Sequence, residues 1–191
     1  MSDADIRCFI AIPITPEIKE ELISVQERLK KAVAKVKWVE PDSIHLTLKF
    51  MGNIPRNNLK SVTKIIQETA QRKEWFEISL DALGAFPSLK KPRIVWVGIK
   101  DPRERLKQLA QELDRRLFSI GVPKEDKEFV SHITLGRVKE IDNRDKLAEI
   151  MSSLKVVSIK MPVTKINLMK SQLTPAGPIY SVISTAHIPP H

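Results

Sequence analysis

Two apolar, strand-like runs in this chain each open on an arginine: Arg7-Cys8-Phe9-Ile10-Ala11-Ile12 and Arg93-Ile94-Val95-Trp96-Val97-Gly98-Ile99. Eight residues after each arginine stands a helix-capping side chain followed by proline, Thr15-Pro16 in the first case and Asp101-Pro102 in the second. A shared signature then appears 38 residues after Arg7 and 39 after Arg93, as His45-Leu46-Thr47-Leu48 and His132-Ile133-Thr134-Leu135. One His-x-Thr is a common accident. Two of them at matching offsets from matching elements point to a duplicated strand, helix, strand unit, the first spanning about 7–52 and the second about 93–138.

A chain of 191 residues has the length of one domain or of two tightly joined lobes, and no low-complexity linker divides it, so a single bilobal domain over 1–191 is expected. Between and after the repeats the pattern is mixed. Ile18, Leu22, Val25, Leu29 and Val33 recur at helical spacing, as do Leu106, Leu109, Leu113 and Leu117 before Gly121. Helices are also expected over about 56–71 and 142–153, with strands at 36–39, 44–51, 77–80, 129–138, 156–161, 164–173 and 179–188, and a breaker-rich loop from Phe86-Pro87 to Pro92. This is an α+β chain, and the duplication makes it two pseudo-symmetric lobes, each an antiparallel sheet packed with helices, flanking a central cleft.

The single cysteine, Cys8, can form no internal disulfide and no cysteine-rich zinc site, which fits a reducing compartment. No stretch approaches the roughly 18 apolar residues of a membrane span, and Met1 to Asp5 is acidic where a secretory leader is basic, so a cytoplasmic protein without a membrane partner is expected. With 32 lysines and arginines against 23 acids, the net charge of +9 favours polyanions such as nucleic acid. Aromatic residues make up only 5%, and no basic run reaches five, which argues against a stacking platform or a disordered basic arm.

On a strand, alternate side chains share a face, so His45 and Thr47 point one way while Leu46 and Leu48 enter the core, and His132 and Thr134 repeat the arrangement. Two lobes meeting about an approximate two-fold axis would then place two imidazoles and two hydroxyls in one cleft. Histidine's ordinary pKa of about 6.5 suits one imidazole to act as base and another as acid, the division that phosphoester cleavage needs. The threonine hydroxyls suit the non-bridging oxygens of a phosphate. A lone His-x-Thr is more often a half-buried histidine satisfied by its neighbour, and it is the repeat that reverses those odds. A zinc site built from His45, His132, His187 and His191 lacks close ligand spacing, and neither metal nor cofactor is expected. His187 and His191 read as surface or tail residues.

These residues resemble the 2H phosphoesterases, and within them the RNA 2′,3′-cyclic phosphodiesterases, historically called 2′-5′ RNA ligases. The resemblance rests on Arg7 to Ile12, Lys37-Trp38-Val39, His45-Leu46-Thr47-Leu48-Lys49-Phe50-Met51-Gly52, Pro92 to Gly98, Ser131-His132-Ile133-Thr134-Leu135-Gly136-Arg137 and Gly177-Pro178-Ile179-Tyr180. It implies a bilobal α+β fold with both motifs in the cleft. It also implies metal-independent opening of a terminal 2′,3′-cyclic phosphate to a 2′-phosphate, with His132 activating water and His45 protonating the 3′ oxygen. The residues alone do not order those two roles. Where the family usually has Pro and Leu, this chain has Ser131 and Met51, changes of loop stiffness and packing rather than of chemistry.

The implied partners are RNA ends or small cyclic nucleotides, with a monomer expected. The reverse reaction, a 2′-5′ ligation, and a binding module without turnover are the alternatives. Three further residues are candidates for substrate binding. Lys49 shares parity with His45 and Thr47, so it either faces the cleft and attracts phosphate or is a solvated lysine at a strand end. Arg137 corresponds to a family arginine near the ligand, although alternation places it opposite His132 unless a bulge at Gly136 turns it inward. Phe9 lies opposite Cys8, Ile10 and Ile12 and either stacks on a base or belongs to the core, and Tyr180 reads as structural.

Overall fold

The computed structural model describes residues 5–30, 34–141, 144–175 and 177–190; the expectations for Val33, for a helix start at Asp142 and for His191 lie outside them. The strands form two antiparallel sheets. The first has strand order β3-β1-β8-β9, from β1 (Ile6–Ile12), β3 (Leu46–Ile54), β8 (Lys165–Thr174) and β9 (Gly177–His187). The second has order β2-β6-β5-β4-β7, from β2 (Ala34–Trp38), β4 (Phe76–Phe86), β5 (Ile94–Lys100), β6 (His132–Ile141) and β7 (Lys160–Val163). The α+β class and the antiparallel pairing match the sequence expectation.

The helices α1 (Pro16–Lys30), α2 (Leu59–Gln71), α3 (Arg105–Phe118) and α4 (Arg144–Ser153) do not stay with the strands that precede them. Helix α1 follows β1 of the first sheet but lies against the second. Its buried Gln26 donates from Nε2 to Val39 O and to Leu135 O, both at 2.9 Å, joining the end of β2 to β6. Helix α3 follows β5 of the second sheet and packs instead on β3 and α2, over the first. Helices α2 and α4 stay home, α2 against β8 and β9 and α4 against β4. Each sheet is therefore covered by one helix from each half of the chain and is itself built of strands from both halves, so the lobes are not the two repeats side by side.

Leu22, Val25, Leu106, Leu113 and Leu117 are fully buried, and at about 1.5–3 kcal/mol for each such side chain these faces supply much of the drive that holds the halves together. Several boundaries differ from the sequence reading: the strand expected over 156–161 is observed as β7 (Lys160–Val163), the one over 129–138 as β6 (His132–Ile141), and α2 starts at Leu59 after a short turn at Arg56–Asn58. Helix α3 begins at Arg105, three residues beyond Pro102, because the Asp101 carboxylate accepts from Leu106 N at 2.7 Å and the backbone turns through a left-handed Glu104 (φ 51°) first. Strand β4 runs on to Phe86 instead of ending at Leu80, since a register shift between Leu80 and Leu83 breaks the alternation that would have revealed it.

Candidate active site

The two motif strands, β3 and β6, come within 8 Å of each other, Cα to Cα, where the sheets meet. His45 sits just before β3, after the short turn Pro41–Ser43, and His132 opens β6. Each imidazole is tied in the same way. Nδ1 of His45 is 2.7 Å from Ser43 O, and Nδ1 of His132 is 2.7 Å from Val130 O, in both cases the carbonyl two residues back. A carbonyl oxygen only accepts, so Nδ1 carries the hydrogen in both rings and the lone pair is left on Nε2. Both rings are half-buried, and that burial pushes both pKa values below the ordinary histidine value, outweighing the upward pull of the carbonyl bonds. The lowered values favour the neutral form of each ring at pH 7.

Aromatic rings fix both imidazoles. Phe9 stacks on His45 with centroids 4.7 Å apart, and Tyr180 meets the same ring edge-on at 5.2 Å. Phe86 meets His132 edge-on at 5.0 Å, with Trp96 at 5.9 Å. The Trp96 indole in turn lies flat across Gly84, where a Cβ would come within 2.1 Å of the ring. Of six Phe, three Trp and one Tyr in the chain, four sit on the two histidines, a concentration that the sequence reading missed for Phe86 and Trp96.

Thr47 and Thr134 are half-buried on the cleft faces, Thr47 paired with Ala11 and Thr134 with Trp96. Immediately after each threonine the strand bulges. In β3 the partner register passes from Thr47 opposite Ala11 to Lys49 opposite Ile10, so Leu48 is the extra residue. In β6 it passes from Thr134 opposite Trp96 to Gly136 opposite Val95, so Leu135 is extra. One inserted residue inverts the parity of everything beyond it. The fifth residue after each histidine, Phe50 and Arg137, is thereby brought to the cleft face, and both are exposed. The sequence reading allowed for such a bulge at Gly136; the register puts the extra residue one position earlier, at Leu135. Gly136 turns toward β2, where a Cβ would stand 2.6 Å from Val36 Cγ1 and 3.0 Å from the Trp38 ring, so a larger residue there must displace those side chains.

The same bulge corrects the expectation for Lys49. Its side chain is 1% exposed and points away from the cleft, with Nζ 2.5 Å from Asp114 Oδ1 on α3 and 2.8 Å from Pro123 O. Burial pushes the Asp114 carboxyl up, but the Lys49 ammonium, the Glu125 N–H and the fields of Lys49 and Lys124 outweigh it and hold the group below its ordinary range. Phe9 is corrected too. It lies on the cleft face but is only 2% exposed, covered by His45, Phe50 and Tyr180, so it offers no free face to a base. Phe50, 61% exposed and 6.0 Å from Phe9, has the open ring that the sequence reading sought in Phe9. Tyr180 lies between Phe9, His45 and the positive fields of Arg137 and Arg7; burial raises its pKa and those fields oppose the rise. His187 ends β9, exposed and paired with Lys165. Among the described residues no three His, Cys, Asp or Glu side chains are grouped to hold a metal ion, and no helix is long and apolar enough to cross a membrane.

A family model described as LigT-like phosphoesterase matches this chain twice, over residues 12–96 and 97–180. An RNA 2′,3′-cyclic phosphodiesterase of Methanothermobacter thermautotrophicus is 38% identical over 177 residues, covering 92% of this chain and 95% of that protein. A protein of the same name from Aquifex aeolicus is 37% identical, covering 96% and 97%. Among solved structures, TT0787 of Thermus thermophilus superposes with a TM-score of 0.80 at 26% identity, over 95% of this chain and 97% of that one. LigT of Escherichia coli complexed with 3′-AMP shares the fold, with a TM-score of 0.76 at 24% identity over 96% of this chain and 98% of that one.

Proposed function

The chain belongs to the LigT-like phosphoesterase family, and from that premise we propose that it hydrolyses RNA 2′,3′-cyclic phosphate ends to 2′-phosphates by general acid and base catalysis between His45 and His132, without a metal. The observation that carries the reading is the identical pose of the two imidazoles, each locked through Nδ1 to the carbonyl two residues back, with the lone pair on Nε2. In the role order that the family resemblance implies, water attacks phosphorus as His132 Nε2 takes its proton. The bond from phosphorus to the 3′ oxygen breaks, and His45, protonated at Nε2, gives its proton to that oxygen. Each transfer contributes about 10²- to 10⁴-fold. The hydroxyls of Thr47 and Thr134 donate to the non-bridging oxygens as charge gathers there. Phe50 offers its exposed ring to the terminal base and Arg137 its guanidinium to the phosphate side.

The acid role needs a protonated His45, which burial disfavours in the free protein. A cyclic phosphate carries one negative charge and restores that proton on binding, so the substrate completes its own catalyst. The same two imidazoles serve a 5′-hydroxyl in place of water, which is ligation in the reverse sense. The test is an oligonucleotide ending in a 2′,3′-cyclic phosphate, incubated with the protein and EDTA. A 2′-phosphate product is expected, with turnover falling at least 100-fold in His45→Ala and in His132→Ala. Full activity in either variant, or none in EDTA that returns with added metal, refutes the mechanism.

A further inference from the structure

A groove of about 530 Å³ lies between the start of β5 and the far half of β6, lined by Arg93, Arg137 and Lys139 together with Pro92, Glu140 and Ile141. Arg137 joins it to the cleft, because the bulge at Leu135 turns it to the face that carries Thr134. On the neighbouring strand Lys37 is register-paired with Arg137, and Lys37 Nζ lies 3.8 Å from where a Cβ on Gly177 would stand, at the turn between β8 and β9. Like charges placed directly opposite across two strands repel. Lys37, Arg93, Arg137 and Lys139 are all exposed, and none sits on a carboxylate among the ion pairs of the described residues. The acid in the groove wall, Glu140, is already held by Lys35 at 2.6 Å. Lys139 is the extra residue of another register shift, between Lys35 and Val36 of β2.

Four cations without a carboxylate partner among the described residues, on β2, on β6 and just before β5, match a chain of phosphates. Among the described residues no aromatic ring lines the groove, so they offer phosphate partners but no stacking surface for bases. We propose that this groove holds the phosphodiester backbone of single-stranded RNA on the 5′ side of the reacting terminal nucleotide, independently of base sequence. The proposal rests on the reading of the cleft as a cyclic phosphodiesterase site and extends it from the end of the RNA to its body.

The test compares the protein with Arg93→Gln/Lys139→Gln, two exposed residues outside the catalytic cleft. Two substrates are used, a nucleoside 2′,3′-cyclic phosphate with no upstream phosphate and a single-stranded hexanucleotide ending in the same group. In parallel, affinity for a fluorescent hexanucleotide carrying the 2′-phosphate product end is measured between 50 and 200 mM salt. Single-stranded contacts contribute about 0.7 to the salt slope per phosphate, so losing two flattens it by about 1.4, equal to about sevenfold in affinity across that range.

The expected result is a hexanucleotide kcat/KM reduced about tenfold at 50 mM salt, a flatter salt slope, and mononucleotide turnover within twofold of the unaltered protein. Equal losses on both substrates, or an unchanged hexanucleotide affinity and slope, overturn the proposal. If neither substrate is cleaved but the variant still loses RNA affinity, the groove stands and the cyclic phosphodiesterase reading falls. If the mononucleotide is cleaved while RNA affinity ignores both changes, the groove falls and that reading stands.

Discussion

Replacing Lys49 with methionine separates two roles for a lysine that strand parity alone assigns to the cleft. The structure buries its side chain to 1% exposure and seats Nζ on Asp114 and Pro123 O, and Asp114 itself is 22% exposed. Removing one partner of a fully buried ion pair costs about 3–5 kcal/mol. Asp114 keeps some water and the Glu125 N–H at 3.1 Å, which brings the expected loss to about 2–3 kcal/mol. For a chain of this size about 1 kcal/mol moves the midpoint by about 2–4 °C, so thermal denaturation at pH 7 should fall by about 4–12 °C.

The pH dependence has a definite sign. Asp114 has a depressed pKa when folded, so its contribution is fully present above the unfolded value of about 3.9 and is lost as pH falls through the folded one. Without Lys49 the upward push of burial is less opposed. The gap between the two proteins is therefore largest at neutral pH and narrows below about pH 4. Cyclic mononucleotide turnover, assayed well below both midpoints, should stay within a few-fold. An unchanged melting temperature with a tenfold or greater loss of kcat/KM would refute this reasoning and return Lys49 to the substrate.

Two further outcomes follow from the histidine surroundings. Gly84→Ala puts a Cβ within 2.1–2.5 Å of three atoms of the Trp96 indole, so the ring must tilt away from its place beside His132. Stability should drop by about 1–3 kcal/mol in denaturant titration, turnover should drop with it, and Trp96→Phe added to the same chain should relieve the clash. Since both imidazoles titrate below the ordinary value of 6.5 in the free protein, kcat/KM should follow a bell with its maximum below pH 6.5. The profile of kcat, which reports the bound state, should peak at higher pH because the phosphate favours the imidazolium; coincident profiles, or flat ones, would contradict the proposed proton transfers.

The repeat, the strand assignment of both motifs and the common face of each His and Thr pair were legible because strand periodicity and residue spacing are local. Parity beyond the motifs was not. Leu48 and Leu135 look like ordinary members of an alternating run, and nothing in their chemistry marks them as the inserted residues of bulges. That blindness sent the base-stacking expectation to Phe9 instead of Phe50, and the phosphate expectation to Lys49. The burial of Lys49 depends on a carboxylate 65 residues away, a relation that no window of sequence displays. The apolar stripes of α1 and α3 announced helices with one buried face, but a stripe does not say which sheet it will meet. The aromatic cradle around the imidazoles was likewise invisible, since Phe86 looked like part of a loop and Tyr180 lies on the last strand.

The exchange of α1 and α3 bears on how such a molecule could arise and how it can be taken apart. A polypeptide comprising one repeat would own only some strands of each sheet and a helix that packs on strands it lacks, and only a second copy, lending strands and helix in return, would close both. Fusing the copies end to end turns that reciprocal loan into a permanent tether. Severed within the 87–92 segment, the two pieces should stay interlocked, and expressed separately they should need each other to become folded at all.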